Sequence, residues 1–309
     1  MFGGIDPALL ISALMVASVP IILAAIGELV VERAGVLNLG AEGMMIMGAV
    51  CGFITAVVTG SAVMGFVGGA IGGAGLSLIF GLLTQFMLAN QVASGLALTL
   101  FGLGLSSLLG QGFVGIRPPA TGAVPFGPLA DIPFLGRVLF SHDWVVYLSI
   151  ASVAATWWAL KATRLGLVLR AVGENHDAAH ALGYKVRRIR LLAILFGGAM
   201  AGLGGAYVSL VRVPQWTDGI TAGAGWIALA IVVFAAWRPW RALIGAYLFG
   251  GISVLQLNLQ AAGARIPVEY LSMSPYLITI VVLVIMSSGK GKAALRAPAS
   301  LGQNFHASR

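Results

Sequence analysis

Long apolar runs separated by short polar stretches dominate this chain. They fall near 8–26, 41–59, 62–89, 91–110, 144–160, 191–211, 224–237, 240–260 and 275–288. Most approach the length of about 20 residues that a helix needs to cross a bilayer. No run alternates with the period of two that marks a transmembrane β-barrel. The pattern predicts an all-α, polytopic integral membrane bundle with about eight to ten transmembrane helices.

Composition supports a membrane protein, because 59% of the residues are hydrophobic and only 9% are charged. A soluble domain carries roughly 25% charged residues. Glycine is frequent inside the apolar runs, and small residues there allow close helix contacts in lipid. Two such clusters stand out: Gly65, Gly68, Gly69, Gly72, Gly73 and Gly75, then Gly197, Gly198, Gly202, Gly204 and Gly205. Cys51 is the single cysteine, which excludes a disulfide framework.

The charges predict how the chain is oriented. The polar segment 161–190 holds seven basic residues opposed only by Glu174 and Asp177, and basic loops between spans stay in the cytoplasm. Counting spans from there puts 111–143 outside as an external loop. We therefore expect one transmembrane domain, 1–290, and a cytoplasmic basic tail, 291–309. The net charge of +8 is then a topology signal and not a sign of nucleic-acid binding.

Within 161–190, residues 175–183 predict a short helix. Asn175 can cap its start, Asp177 suits its first turn, and Gly183 can end it in a left-handed conformation. Such a helix makes a rigid knob, which docks on a partner protein or is only a solvated connector. His176 and His180 have a spacing that can bind zinc, but no third ligand lies nearby in the sequence.

The segment 27–43 places three carboxylates and Arg33 between two apolar runs. Glu28 and Glu32 would share a helix face. Glycines at 27, 35, 40 and 43 predict an interrupted or re-entrant helix, which membranes tolerate only where protein or water surrounds it. Exposed helix ends there could contact a polar solute. The alternative is a cytoplasmic turn with solvated charges.

Glu42 begins a span, where a buried ionisable group is often functional. It could equally be a first-turn acid favoured by the helix dipole. In the second half of the chain, 218–226 places glycines and polar residues before another apolar run and loosely echoes 38–43. Paired interruptions of this kind indicate a central substrate path.

Some chemistry is missing from the sequence. It contains no Gly-x-x-x-x-Gly-Lys-Ser/Thr phosphate loop, no Ser/His/Asp arrangement, and no repeated interior carboxylates of the kind a proton-driven pump uses. A transport protein without a nucleotide site or an ion relay is most simply one subunit of a larger machine.

Three stretches, 32–45, 169–183 and 219–230, resemble the permease subunits of bacterial ATP-binding-cassette (ABC) importers. The branch handles simple sugars, nucleosides and branched-chain amino acids, and 32–45 is most similar to the nucleoside-type permeases. Residues 161–190, hereafter the coupling loop, match the general importer pattern only as Asp177-Ala178-Ala179 and Gly183. The chain departs from the family at Ala224, where Arg is frequent, and near Ala235, where Gly is frequent.

The resemblance implies a transport subunit, not an enzyme, in the bacterial cytoplasmic (inner) membrane. Its implied partners are an ABC ATPase, a second and different permease, an extracytoplasmic solute-binding lipoprotein and membrane lipid. The chain itself would bind no cofactor or metal, because the partner ATPase uses ATP and Mg. The coupling residues expected to contact the ATPase are Glu174, Asn175, Asp177, Ala178, Ala179 and Gly183. The residues expected to line or gate the path are Glu32, Arg33, Asn38, Gly40, Glu42, Gly223 and Trp226.

For the solute, these features favour a nucleoside. Simple sugars are the second candidate and riboflavin-like molecules the third. A self-sufficient channel or a secondary transporter is the alternative from another class of protein.

Overall fold

The computed structural model describes residues 6–261 and 297–306, with six single positions between them, 270, 273, 277, 280, 281 and 284. Within these residues, seven helices are long and apolar enough to cross a membrane. They are α1 (Pro7–Arg33), α2 (Ala41–Thr59), α3 (Ala62–Gly81), α4 (Gln91–Gly110), α6 (Trp144–Ala162), α9 (Val186–Tyr207) and α11 (Pro239–Ala261). The all-α polytopic bundle is confirmed. Most of the predicted segment 275–288 lies outside the described residues.

Four shorter helices complete the described part. They are α5 (Leu135–Leu139), α7 (Arg164–Glu174), α8 (His176–Ala181) and α10 (Ala224–Phe234). Helices α3 and α9 each continue into a π-helical turn, Leu82–Phe86 and Val208–Arg212.

Helix α10 corrects the prediction that 224–237 crosses the membrane. Its 11 residues span about 16 Å, roughly half of the hydrocarbon thickness. The apolar run continues beyond α10, but Ala236 and Trp237 have φ values of 50° and 55°, which end the helix. Composition could not separate residues 235–237 from the helix because Ala235, Ala236 and Trp237 are apolar as well.

Helix α9 packs against α1, α2 and α3, and α2 packs against α3. A Cβ atom added to Gly48 of α2 would lie 2.2 Å from the Gly202 Cα of α9. One added to Gly73 of α3 would lie 2.2 Å from the Gly198 carbonyl oxygen. The glycine clusters therefore mark close helix contacts, as predicted. Gly75 is an exception, because a Cβ atom added there would have no neighbour within 4 Å.

The stretches that charge assigned to one membrane side meet at one end of the bundle, hereafter the basic end. Arg190 of the coupling loop donates to the Ala34 carbonyl oxygen, just after α1. Asn304 donates to the Leu88 carbonyl oxygen, just before α4. At the opposite end, Arg137 forms an ion pair with Asp6 at 2.8 Å. The positive-inside rule assigns the basic end to the cytoplasm.

Candidate functional site

Helix α1 runs without a break through Gly27, Glu28 and Glu32 to Arg33. The prediction that glycines interrupt the helix from residue 27 is therefore wrong at Gly27. This glycine serves close packing instead, because a Cβ there would lie 2.7 Å from the Met200 Cβ of α9. The interruption is confined to 34–40, where Gly35 has a φ of +83°, a conformation that favours glycine.

The turn 34–40 folds back into the bundle. Gln91 accepts a hydrogen bond from the Leu37 amide at 2.8 Å, and Thr99 donates to the Leu39 carbonyl oxygen at 3.1 Å. Thr99 lies about 12 Å along α4 from Gln91. Helix α2, which starts at Ala41, therefore begins inside the bundle and not at its basic end.

Polar side chains of α1 form hydrogen bonds with the turn 34–40 and with Trp237, which follows α10. The Glu28 Oε2 accepts a hydrogen bond from Asn38 Nδ2 at 3.0 Å, and Asn38 Oδ1 accepts one from the Gly40 amide at 3.0 Å. Glu32 Oε2 accepts a hydrogen bond from Trp237 Nε1 at 2.5 Å. Arg33 reaches the same residue, donating to the Trp237 carbonyl oxygen from Nε and Nη2 at 3.3 and 3.1 Å.

Glu42 caps a helix other than its own. Its carboxylate accepts hydrogen bonds from Thr221 Oγ1 at 2.5 Å, the Gly223 amide at 3.0 Å and the Gly225 amide at 2.7 Å. These amides belong to the start of α10, whose N-cap residue Gly223 has no side chain to supply a cap. A carboxylate at this position is also stabilised by the positive end of the α10 helix dipole. The short helix α10 can therefore begin inside the bundle with its amides satisfied.

These contacts join the two interruptions that the sequence singled out separately. We call the joined residues the polar seam: Glu28, Glu32, Asn38, Gly40, Glu42, Thr221, Gly223, Gly225 and Trp237. Of the predicted path residues, Arg33 lies beside the seam. Trp226 does not join it, because its side chain is 53% exposed on α10. Glu42 and the start of α10 are about 180 positions apart in the chain, and a single sequence does not show that such distant residues make contact.

The predicted knob is present. Asn175 Oδ1 accepts a hydrogen bond from the Ala178 amide at 2.9 Å and caps α8. Asp177 lies in the first turn, and Gly183 has a φ of +88°. Glu174, Asn175, Asp177 and Ala178 are exposed, whereas Ala179 is buried beneath them. Leu182 is 77% exposed, which leaves an apolar side chain on the knob's surface.

Arg190 is a buried residue of the coupling loop that the sequence analysis did not single out. It is fully buried and donates to the Ala34 carbonyl oxygen at 3.1 Å, to the Gln303 carbonyl oxygen at 2.9 Å and to His176 Nδ1 at 3.3 Å. Burial, and secondly this guanidinium, lower the pKa of His176 below its usual value. In the sequence Arg190 is one of seven similar cations, and nothing there marks it as buried.

Residues 297–306 pack against the coupling loop. The Ser300 amide donates to the Gly173 carbonyl oxygen at 2.9 Å. The ring of Phe305 packs edge-on against His176 and His180, with centroid distances of 5.5 and 5.1 Å. The two histidines therefore pack against an aromatic ring. No cluster of three or more potential metal ligands occurs among the described residues.

The fold and this site define a class of protein. Residues 10–286 match the family model described as the branched-chain amino acid transport system permease component, so the chain belongs to that family. It is a multi-pass membrane permease subunit of an ABC importer for a small polar solute, and a transport component, not a catalyst.

Individual relatives are similar over nearly their whole length. A putative glucose ABC transporter permease protein from Haloferax volcanii is 39% identical over 96% of this chain and 97% of its own. A nucleoside ABC transporter permease protein from Lactococcus lactis is 33% identical over 96% of both chains. A guanosine ABC transporter permease protein from Bacillus subtilis is 32% identical over 89% of this chain and 91% of its own.

Proposed function

We propose that this chain and a second, different permease form the translocation path of an ABC importer for nucleosides. A separate ATPase subunit, which uses ATP and Mg, docks on the knob. An external solute-binding lipoprotein delivers the solute from the opposite side. The observation that carries this proposal is the pair of contacts, to His176 and to Ala34, through which Arg190 joins the knob to the turn 34–40.

The contacts form a continuous route from the knob to the polar seam. His176 on the knob contacts Arg190, and Arg190 contacts Ala34 at the start of the turn. Glu42 lies just after that turn and holds the first amides of α10. Movement of the knob on ATP binding would therefore shift the start of α10. Packed elements with two discrete arrangements are what such coupling requires.

Close packing supports the same route. A Cβ atom on Gly173, the residue before Glu174, would lie 2.1 Å from the Arg33 carbonyl oxygen. The end of α7 therefore rests directly on the end of α1. In such a contact, small displacements of the coupling loop are transmitted instead of being absorbed in loose packing.

The choice of a nucleoside rests on two observations. Two of the relatives reported above are named for nucleoside or guanosine transport. Trp226 is exposed on α10 next to the seam, where an indole ring can stack on a base. The relative named for glucose makes a simple sugar the second candidate.

Substitution of Arg190 tests the coupling. In the complete complex in proteoliposomes, Arg190→Gln should lower ATP-driven uptake about tenfold while ATP hydrolysis continues, within the range expected for coupling residues. Gly173→Ala should also lower uptake while hydrolysis continues, because the added methyl group would disturb the contact between the ends of α7 and α1. The matched control is the exposed neighbour Arg188→Gln. Equal uptake by the wild type and the three variants would contradict the proposed route. So would a loss of ATP hydrolysis equal to the loss of uptake in the Arg190 and Gly173 variants.

Competition tests the solute. Uptake of labelled guanosine by the same proteoliposomes should fall when unlabelled inosine is added and should not change with glucose. Trp226→Ala should weaken nucleoside uptake more than it weakens ATP hydrolysis. Competition by glucose but not by inosine would replace the nucleoside assignment with the sugar assignment and leave the importer class intact.

A further inference from the structure

A cavity of about 680 Å³ opens at the basic end, between the ends of α1 and α6 and the start of α11. Five cationic side chains line it, and the described lining includes no carboxylate. They are Arg33, Lys161, Arg170, Arg238 and Arg241. Trp157 and Trp240 form part of the wall, and the Lys161 ammonium lies 5.0 Å from the Trp157 ring centroid.

None of the five cationic side chains forms an ion pair within the described part of the chain. The ion pairs of the described residues are Arg137–Asp6 and His176–Asp177, and neither involves the cavity. Arg33 and Arg170 donate to backbone carbonyl oxygens instead. The Glu174 carboxylate interacts electrostatically with Arg33, but one carboxylate against five clustered cations still favours an anionic ligand.

An apolar groove lies on the other side of Leu160. It has a volume of about 330 Å³ and is lined by Val30, Thr156, Ala159, Leu169 and Phe196 among others. Leu160 lines both the basic cavity and this groove. A ligand that covers both would need a charged head and an apolar tail.

The position in the membrane identifies the source of that ligand. Helix α6 exposes Trp157 and Trp158 on its outer face, by 41% and 60%, and tryptophan concentrates at the membrane interface. Anionic phospholipids concentrate in the cytoplasmic leaflet, and basic pockets between transmembrane helices bind their headgroups. An acidic surface of the ATPase would match the charge but not the apolar groove.

We propose that the cavity binds the phosphate headgroup of an anionic phospholipid from the leaflet at the basic end, with an acyl chain in the groove beside Leu160. Arg238 and Arg241 supply the phosphate contacts that are free of other described partners, and Trp157 and Trp240 border the headgroup. This site is separate from the polar seam, so it does not depend on the proposed solute.

Native mass spectrometry of the full chain tests the proposal. The protein is purified in detergent and mixed with equal amounts of phosphatidylglycerol and phosphatidylcholine. The wild type should retain phosphatidylglycerol selectively. Arg238→Gln with Arg241→Gln should weaken this binding about 25-fold, since each basic side chain near an anionic surface contributes a factor of roughly five. The matched control, Lys185→Gln with Arg188→Gln, removes the same charge at the same end and should bind phosphatidylglycerol as the wild type does.

Further measurements distinguish a lipid site from a soluble-anion site and from an ATPase contact. Inorganic phosphate at millimolar concentration should leave phosphatidylglycerol bound, and displacement by phosphate would show a soluble-anion site instead. Equal retention of both lipids by the wild type would overturn the proposal, whatever the variants do. The proposal would also be overturned if the Arg238/Arg241 double variant kept phosphatidylglycerol but no longer co-purified with the ATPase. That result would indicate an ATPase contact. Lys161→Gln, on a different helix, should weaken binding about fivefold if the double variant does not fold.

Discussion

Replacing Glu42 should uncap α10. Glu42→Ala removes the acceptor of three hydrogen bonds, from Thr221 Oγ1, the Gly223 amide and the Gly225 amide. The threonine hydroxyl can rotate toward another acceptor, but the two amides are fixed by the backbone. A buried donor left without a partner costs about 1–3 kcal/mol, so the expected loss in the free energy of unfolding for two amides is about 2–6 kcal/mol. That is a large fraction of the roughly 5–15 kcal/mol available to a folded protein.

Glu42→Gln should cost about half as much. It keeps Oε1 as an acceptor, but the amide nitrogen that replaces Oε2 would face the Gly225 amide, which is also a donor. The expected order of stability is therefore wild type, then Gln, then Ala. Equal losses in the Gln and Ala variants, which both lack the charge, would show that charge, and not hydrogen bonding, dominates.

Unfolding can be followed with a thiol-reactive dye, because Cys51 is the single cysteine and is partly buried in α2. The midpoint temperature in detergent should fall in that order. Glu174→Ala serves as the control for stability, since this residue is exposed on the coupling loop. If Glu42→Ala melts within error of the wild type, Glu42 does not cap α10 in the folded protein and the reasoning fails.

Two further predictions test packing and protonation. Gly48→Ala should lower the free energy of unfolding by about 1–3 kcal/mol through overpacking, whereas Gly75→Ala, where a Cβ meets open space, should not lower it; equal effects would contradict the packing. Because the pKa of His176 is lowered when it lies buried beside Arg190, its neutral form favours the docked state of 297–306. That stabilisation is present above about pH 6.5 and is lost as the pH falls toward the lowered value. Limited proteolysis of 297–306 should therefore accelerate from pH 7.5 to pH 5.5, and an unchanged rate would refute this.

The apolar pattern predicted several elements closely, because lipid exposure constrains composition along a whole helix. The segment predicted over 41–59 is α2, with the same bounds. The knob was also predictable, because Asn175, Asp177 and Gly183 act through local backbone geometry that a short sequence encodes. Glycine clusters predicted close contacts without identifying the partner helix of each cluster.

Contacts between distant segments were not predictable from one sequence. Charges in 27–33 resemble those of a solvated turn, yet Glu28 and Glu32 are buried in α1 because Asn38 and Trp237 provide hydrogen-bond donors. The pairing of Glu42 with the start of α10 also depends on tertiary structure. Local composition does not specify which polar groups meet inside the bundle.

Docking of the ATPase on the knob is the central claim, and site-specific photo-crosslinking tests it most directly. A photoreactive phenylalanine derivative replaces Leu182, which is 77% exposed on the knob, or Leu129, which is 47% exposed at the opposite end. In membranes that contain the assembled complex, the derivative at 182 should form an adduct with the ATPase, and the one at 129 should not. Adduct formation from 129 and not from 182, or from neither position in an assembled complex, would contradict the account.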